Sequence, residues 1–410
     1  MCGIIAVLRR DDPRVDLAPA PIVDQLRRGL GAVVAATADP SVELLQGAAG
    51  ELAPVADALH GPAAVRLLLT DRAAATTIGS LADQLTDAVT ALDRALDAAP
   101  VGADTEARNA AGVEIKDAVW SIARDRLPAA TGVGALIAGD TGWAAVEAHL
   151  QVEQALRAID RLEVRGRDSA GLLVLVRDHG LDLDDPAVAG LVGDRAVDPF
   201  LRSRAVRVVD DSSLGFAYKA AAEIGELGDN TAALRAAIAS DELLQLALGS
   251  DTARVVVLGH TRWASVGIIS EANAHPLDSW ERELADGPFV AAALNGDVDN
   301  FADLKAGNGL EIWPEITTDA KVIPTLVSRR MSAGDDALEA FRASVASFEG
   351  SVAIAATIAD RPNSLLLALR GSGQALYVGL VDDAYIVASE PYGVVEETAR
   401  YVRMDGETPA

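Results

Sequence analysis

Hydrophobic positions in this chain follow two rhythms, and the change between them divides it. "GIIAVL" (3–8) is a short continuous apolar run, which fits a buried strand. Beyond Arg10 the apolar residues recur one helical turn apart. Ile22, Leu26, Leu30 and Val33 form one stripe, and Val42, Leu45, Leu52 and Leu59 a second, with Pro40 in its first turn. Leu81, Leu85, Val89, Leu92 and Leu96 form a third, and Ile115, Val119 and Ile122 a fourth. This spacing predicts a helical bundle or set of hairpins over 11–142. "LDAAPVGADTEA" and "LPAATGVGALIAGDTGW" read as connectors within it.

The remainder alternates. A helix is expected near 143–163, with Val152, Leu156, Ile159 and Leu162 on one face. "LLVLV" (172–176) follows as a strand, 178–204 as a polar Asp-rich connection, and "RAVRVVD" as a strand. Helical spacing resumes over 218–247. Strands are then expected at "RVVVLGH", "FVAAAL", "SVAIAATI", "SLLLAL", "ALYVGLV" and "AYIVAS". Helices are expected at "NFADLKAG", "TDAKVIPTLVSRRM" and "DALEAFRASVASF", with Asn300 and Thr318 as N-caps. This mixed order predicts an α+β fold rather than a regular βαβ series.

Composition narrows the function classes. Half of the 410 residues are apolar and 23% are charged, as in globular proteins generally. The formal net charge of −26 disfavours nucleic acid and anionic membrane surfaces as partners. No run approaches the ~20 apolar residues of a membrane span, and "CGIIAVL" has no charged n-region before it. One cysteine leaves no internal disulfide framework, which suits a reducing compartment; a cytoplasmic protein is expected. The five histidines (60, 149, 179, 260, 275) lack metal-ligand spacing, and "GSGQAL" (371–376) sits between two strands as a turn, so neither a metal nor a nucleotide cofactor is expected.

Four short stretches carry candidate chemistry. Cys2 would become the first residue if Met1 were cleaved, joining a thiol to a free α-amine; its position equally suits a small buried hydrophobe. "GHTRWASVG" places Arg262 and Trp263 just beyond a strand, and an arginine there could hold a carboxylate or simply form a surface ion pair. "ALNGDVDNF" contains Asn295-Gly296, ordinarily a hairpin signal. No second alternating strand follows it, so a strand–NG–helix corner is expected, with two N–H donors suited to an oxyanion. In "TTDAKVIPTL", Asp319 falls in the first turn of a helix, where the dipole favours it and where it could grip an ammonium group.

Together these stretches resemble class II glutamine amidotransferase domains, above all the glutaminase half of glutamine–fructose-6-phosphate aminotransferases. "MCGIIAVL", "RLEVRGRDSAGLLVL", "YKAAAEIGELGDN", "GHTRWASVGIISEANAHPLDS", "LNGDVDNFADLK", "TDAKVI", "ALRGSGQALYVGL" and "YIVASE" occur in the family's order. The resemblance implies the four-layer α/β/β/α sandwich of N-terminal-nucleophile hydrolases, with core 1–10 and 143–405 and a helical insertion at 11–142. It implies Cys2 as nucleophile, Asn295 and Gly296 as oxyanion donors, Arg262 and Asp319 as ligands for the ends of glutamine, and Trp263 and Ser265 lining the pocket. Arg165 and Gly166 would form a supporting loop. Val266, Leu294, Arg167 and Lys321 depart from the family's pattern, which bears on the substrate pocket and on coupling.

The chain stops at "YVRMDGETPA", where a sugar-phosphate isomerase half would follow, so that half is expected as a further domain or a second chain. A homo-oligomer is left open. Two alternatives remain: an amidotransferase serving another acceptor, and a non-catalytic scaffold acting through the helical insertion.

Overall fold

The computed structural model describes residues 2–10, 13–139, 141–221, 226–282, 287–361 and 363–405. The chain divides into two compact units, one formed by 1–12 with 138–410 and the other by 13–137.

The 13–137 unit is helical. It contains α1 (Pro19–Ala38), α2 (Val42–Ala58), α3 (Gly61–Thr70), α4 (Arg72–Ala98), α5 (Thr105–Trp120) and α6 (Leu127–Leu136). The periodic stripes become its core, where Leu26, Val33, Leu45, Leu52, Ile78 and Leu85 are buried together. Asp71 caps α4 by accepting the Ala74 N–H at 2.9 Å. The expected connector "LPAATGVGALIAGDTGW" is corrected over its first part. A π-helical segment, Ser121–Arg126, carries α5 into α6, and Pro128 lies in the first turn of α6, where its missing N–H costs nothing. No single helix among the described residues is long and apolar enough to cross a membrane; α2 and α3 pass that measure only as a pair bent by 83°.

The other unit is α+β. Its larger sheet runs β12-β10-β11-β1-β5-β2-β4-β3 and its smaller one β6-β7-β8-β9, and every pairing is antiparallel. The strands are β1 (Gly3–Arg9), β2 (Ser169–Arg177), β3 (Val206–Asp210), β4 (Ser213–Ala221), β5 (Arg254–Arg262), β6 (Leu277–Asp278), β7 (Val290–Val298), β8 (Gly350–Ile358), β9 (Leu366–Arg370), β10 (Ala375–Leu380), β11 (Ala384–Ala388) and β12 (Tyr401–Asp405). The helices are α7 (Trp143–Leu162), α8 (Pro186–Val192), α9 (Asp229–Ala239), α10 (Glu242–Leu248), α11 (Phe301–Gly307), α12 (Val322–Ser332) and α13 (Ala337–Ala346). The helical spacing over 218–247 is a misreading at its start: through Ala221 the chain is still β4, and α9 begins only at Asp229. Leu214 to Tyr218 are buried on both faces, so the strand shows no alternation to read.

The two sheets share a core. Ile4, Ala6, Leu258 and Val387 of the larger sheet pack with Ala293, Ala353 and Ala355 of the smaller one. Strand alternation then sorts β7: Ala293 enters that shared core, while Ala292 and Leu294 join the cluster holding Ile323, Val327 and Phe341 of α12 and α13. By the same alternation Asn295 lies on the face turned to the larger sheet.

Candidate active site

Cys2 immediately precedes β1, a central strand of the larger sheet. Its side chain is buried, 8% exposed. Its backbone nitrogen donates to Asn295 Oδ1 at 3.1 Å, joining residues 293 positions apart. Its Sγ lies 3.5 Å from the carbonyl oxygen of Trp263. Burial pushes the thiol up from its ordinary value, and the Arg262 charge opposes that rise.

The expected strand–NG–helix corner is corrected. Asn295 and Gly296 lie within β7, opposite Ala353 and Val352 of β8, and α11 begins only at Phe301. Gly296 has φ +116°, and a Cβ there would strike the carbonyl oxygen of Ser351. The glycine is needed for close approach of β8, not for a turn. Because Asn295 Oδ1 is engaged with the Cys2 nitrogen, its Nδ2 is the amide's donor end.

Arg262 closes β5 and is buried. Its guanidinium donates to the carbonyl oxygens of Ile268 (3.0 Å) and Val266, holding the loop 263–268 against its own strand. Burial lowers its pKa; Cys2, Asp319 and Asp168 pull in the opposite sense, so all three lie in its field. Asp168 also accepts the Ala264 N–H at 2.8 Å, and Ser265 Oγ donates to Asp297 Oδ1 at 2.7 Å. Trp263 stands 59% exposed at the loop's start. Gly166 passes so near the Arg262–Trp263 backbone that a Cβ would collide with it.

Asp319 opens a 3₁₀ turn, Asp319–Lys321, that leads into α12. Its Oδ2 accepts the Val298 N–H at 2.7 Å and its Oδ1 faces Thr318 Oγ1 at 3.3 Å. Burial raises its pKa, and Asp297 adds to that push. The expected caps behave differently. Thr318 makes no side-chain cap; Asn273 Oδ1 accepts the N–H groups of Thr317 (2.7 Å) and Thr318 (3.0 Å) instead. Asn300 stands at the N-cap of α11, but its amide ties Ser347 and Glu349.

The structure thus gathers Cys2, Asn295, Gly296, Arg262, Trp263, Ser265 and Asp319 into one neighbourhood at the ends of β1, β5 and β7. Arg165 pairs with Glu390 and, with Asn295, Tyr377, Ser389 and Arg403, lines a cavity of 240 Å³. Lys321, one of the departures, is wholly buried and donates to both the backbone carbonyl (2.7 Å) and Oδ1 (3.0 Å) of Asp278. Arg207 grips the other oxygen of that carboxylate at 2.6 Å. Burial alone would raise the Asp278 pKa, yet these two cations carry it well below the usual range. Sequence reasoning missed His260 and His275, whose rings stack behind Leu294. Their spacing in the sequence bears only on metal ligation and gives no sign of this contact. Among the described residues no cluster of three His, Cys, Asp or Glu could hold a metal ion.

Comparison with known proteins adds a lineage. No family model matches the chain. It is 31% identical over 224 residues to glutamine–fructose-6-phosphate aminotransferase (isomerizing) of Gloeobacter violaceus, covering 54% of this chain and 34% of that protein. The same enzyme of Geobacillus kaustophilus is 36% identical over 153 residues, or 37% of this chain and 24% of that protein. That of Acidithiobacillus ferridurans is 29% identical over 257 residues, or 62% and 32%. The chain spans about a third or less of the length of these curated relatives. A solved glutamine phosphoribosylpyrophosphate amidotransferase of B. subtilis aligns with TM-score 0.38 at 19% identity, over 61% of this chain and 42% of that one; a likeness so slight carries no argument. The chain is similar in sequence to part of these enzymes, which supports a class II glutamine amidotransferase domain.

Proposed function

We propose that this domain hydrolyses the side-chain amide of glutamine through Cys2 and delivers ammonia to an acceptor site elsewhere. The observation that carries the reading is the 3.1 Å contact between the Cys2 nitrogen and Asn295 Oδ1, which sets the would-be nucleophile against the would-be oxyanion donor. Cleavage of Met1 turns that nitrogen into an α-amine, with an ordinary pKa of about 7.7–8.0. The thiol is raised by burial and holds its proton, so it needs a base, and the amine of its own residue is in reach.

In the first half-reaction Sγ bonds to the amide carbon of glutamine and the thiol proton passes to the α-amine. Asn295 Nδ2–H and the Gly296 N–H receive the charge that develops on the amide oxygen. The C–N bond then breaks, the ammonium returns its proton to the leaving nitrogen, and ammonia departs from a glutamyl thioester. In the second half-reaction water attacks the thioester with the amine as base, which frees glutamate and restores the thiol. Arg262 takes the α-carboxylate of glutamine and Asp319 its α-ammonium, each a charge-matched contact. Trp263 and Ser265 line the pocket. None of these steps draws on a cofactor.

The domain boundaries follow the same reading. Residues 1–10 and 143–405 make the catalytic domain, a four-layer α/β/β/α sandwich, and 11–142 are inserted into it. The names of the relatives support fructose 6-phosphate as the eventual acceptor, handled by an isomerase domain or chain. The test is ammonia release from glutamine by purified chain shown by mass to lack Met1. Hydrolysis that disappears in Cys2→Ala is expected; its absence in the Met1-free parent overturns the reading.

A further inference from the structure

Two histidines that the proposed chemistry does not use meet directly behind it. His260 lies on β5 opposite Ile4 of β1, and His275 lies just ahead of β6. Both are buried, and their ring centroids are 4.3 Å apart with planes tilted by 32°.

Their partners follow from where a ladder ends. β6 is two residues long and pairs with β7 only through Leu277–Ala292 and Asp278–Ala291. In antiparallel pairing a residue presents its N–H and C=O to one side, and residues two apart present them to the same side. Leu294 therefore turns both groups towards the β6 side, past the point where the two-residue ladder stops at Leu277, and buried backbone groups need partners. The histidines supply them. Leu294 O lies 2.7 Å from His260 Nε2, and Leu294 N lies 3.4 Å from His275 Nδ1.

These contacts fix the tautomers. A carbonyl only accepts, so His260 carries its hydrogen on Nε2. An amide N–H only donates, so His275 Nδ1 is bare and that ring too carries its hydrogen on Nε2, which faces Thr318 Oγ1 at 3.4 Å. The Thr318 hydroxyl then donates to Asp319 Oδ1 at 3.3 Å. A second proton on His275 would set two donors face to face. Burial independently favours neutral rings: it lowers His260 to about 3 and His275 well below the ordinary value, the latter with added repulsion from His260, Arg262 and Lys219.

We propose that His260 and His275 are positioning residues, two Nε2–H imidazoles that clamp the backbone of Leu294 and thereby set the Asn295 amide against Cys2 and the Asp319 carboxylate against the substrate. This rests on the proposed function. Its mechanical basis is that the nucleophile and the oxyanion donors ride on different sheets. The His260–Leu294 bond ties β5, the neighbour of β1, to β7 one residue before Asn295.

The test combines spectroscopy with kinetics on the full chain. Imidazole nitrogen NMR should show both rings as Nε2–H tautomers that do not titrate between about pH 5 and pH 8. His260→Leu should lower kcat for glutamine by up to about 100-fold with little change in KM, because the misplaced group acts in the transition state. His260→Gln, whose amide N–H reaches the place of Nε2–H, should recover most of that loss. His275→Leu should act more on KM, by releasing Thr318 and Asp319. A purely structural role would lower the melting temperature of both leucine variants without this split. An Nδ1–H tautomer, a titrating ring, or parental kinetics in both leucine variants overturns the proposal alone. An inactive Met1-free parent overturns the proposed function and this proposal with it.

Discussion

The helical unit and the sheet unit bury different chemistry. Among the described residues of 13–137, every buried side chain is apolar. The sheet unit buries His, Lys, Arg, Asp and Asn in numbers, among them His260, Arg262, His275, Asn295 and Asp319 around the candidate site. Burying polar groups costs stability unless each finds a partner. The helical core needs nothing beyond packing. The contrast supports placing the proposed reaction in the sheet unit.

That contrast can be tested from both sides. Asn295→Ala removes the proposed oxyanion donor and should lower kcat about 10²–10³-fold with a modest change in KM, measured by ammonia release. Leu52→Ala, in the helical core, should cost about 2–5 kcal/mol in denaturant unfolding and leave kcat unaltered; a matching loss of kcat would erase the division of labour.

Lys219 sharpens the picture further. Lys321 and Arg207 share Asp278, whereas Lys219 Nζ is buried with no hydrogen-bond partner among the described residues. Burial lowers its pKa to about 7. The folded state therefore binds this proton less readily than the unfolded chain, so stability contributed here rises with pH from about 7 towards the ordinary lysine value near 10.4. Lys219→Met should raise stability at neutral pH by about 1–4 kcal/mol and flatten that slope in denaturation measured across the range. The smallest effect is expected at the α4 cap: Asp71→Ala should cost about 0.5–2 kcal/mol of stability and nothing in catalysis.

Legibility in the sequence depended on how each element is buried. The helical stripes were readable because one face of each helix packs and the other meets solvent, as at Leu81 and Leu85 of α4. α6 was hidden because Pro128, Gly132 and Gly134 mimic a turn, and β4 because burial on both faces erases alternation. At the candidate site the residue types were legible, since Cys2, Arg262, Asn295 and Asp319 sit in short motifs. Their geometry was not. Asn295-Gly296 signals a turn in isolation, and only the close approach of β8 explains why the glycine lies within a strand. The histidine clamp was beyond reach, because it answers a backbone need created where β6 stops.

The most direct measurement is peptide mass spectrometry of the Met1-free chain after exposure to an electrophilic glutamine analogue. The account predicts one covalent adduct, on the Cys2 thiol, formed more slowly when glutamine is present in excess. A Met1-free chain that stays unmodified, or reacts at the same rate with and without glutamine, would contradict it.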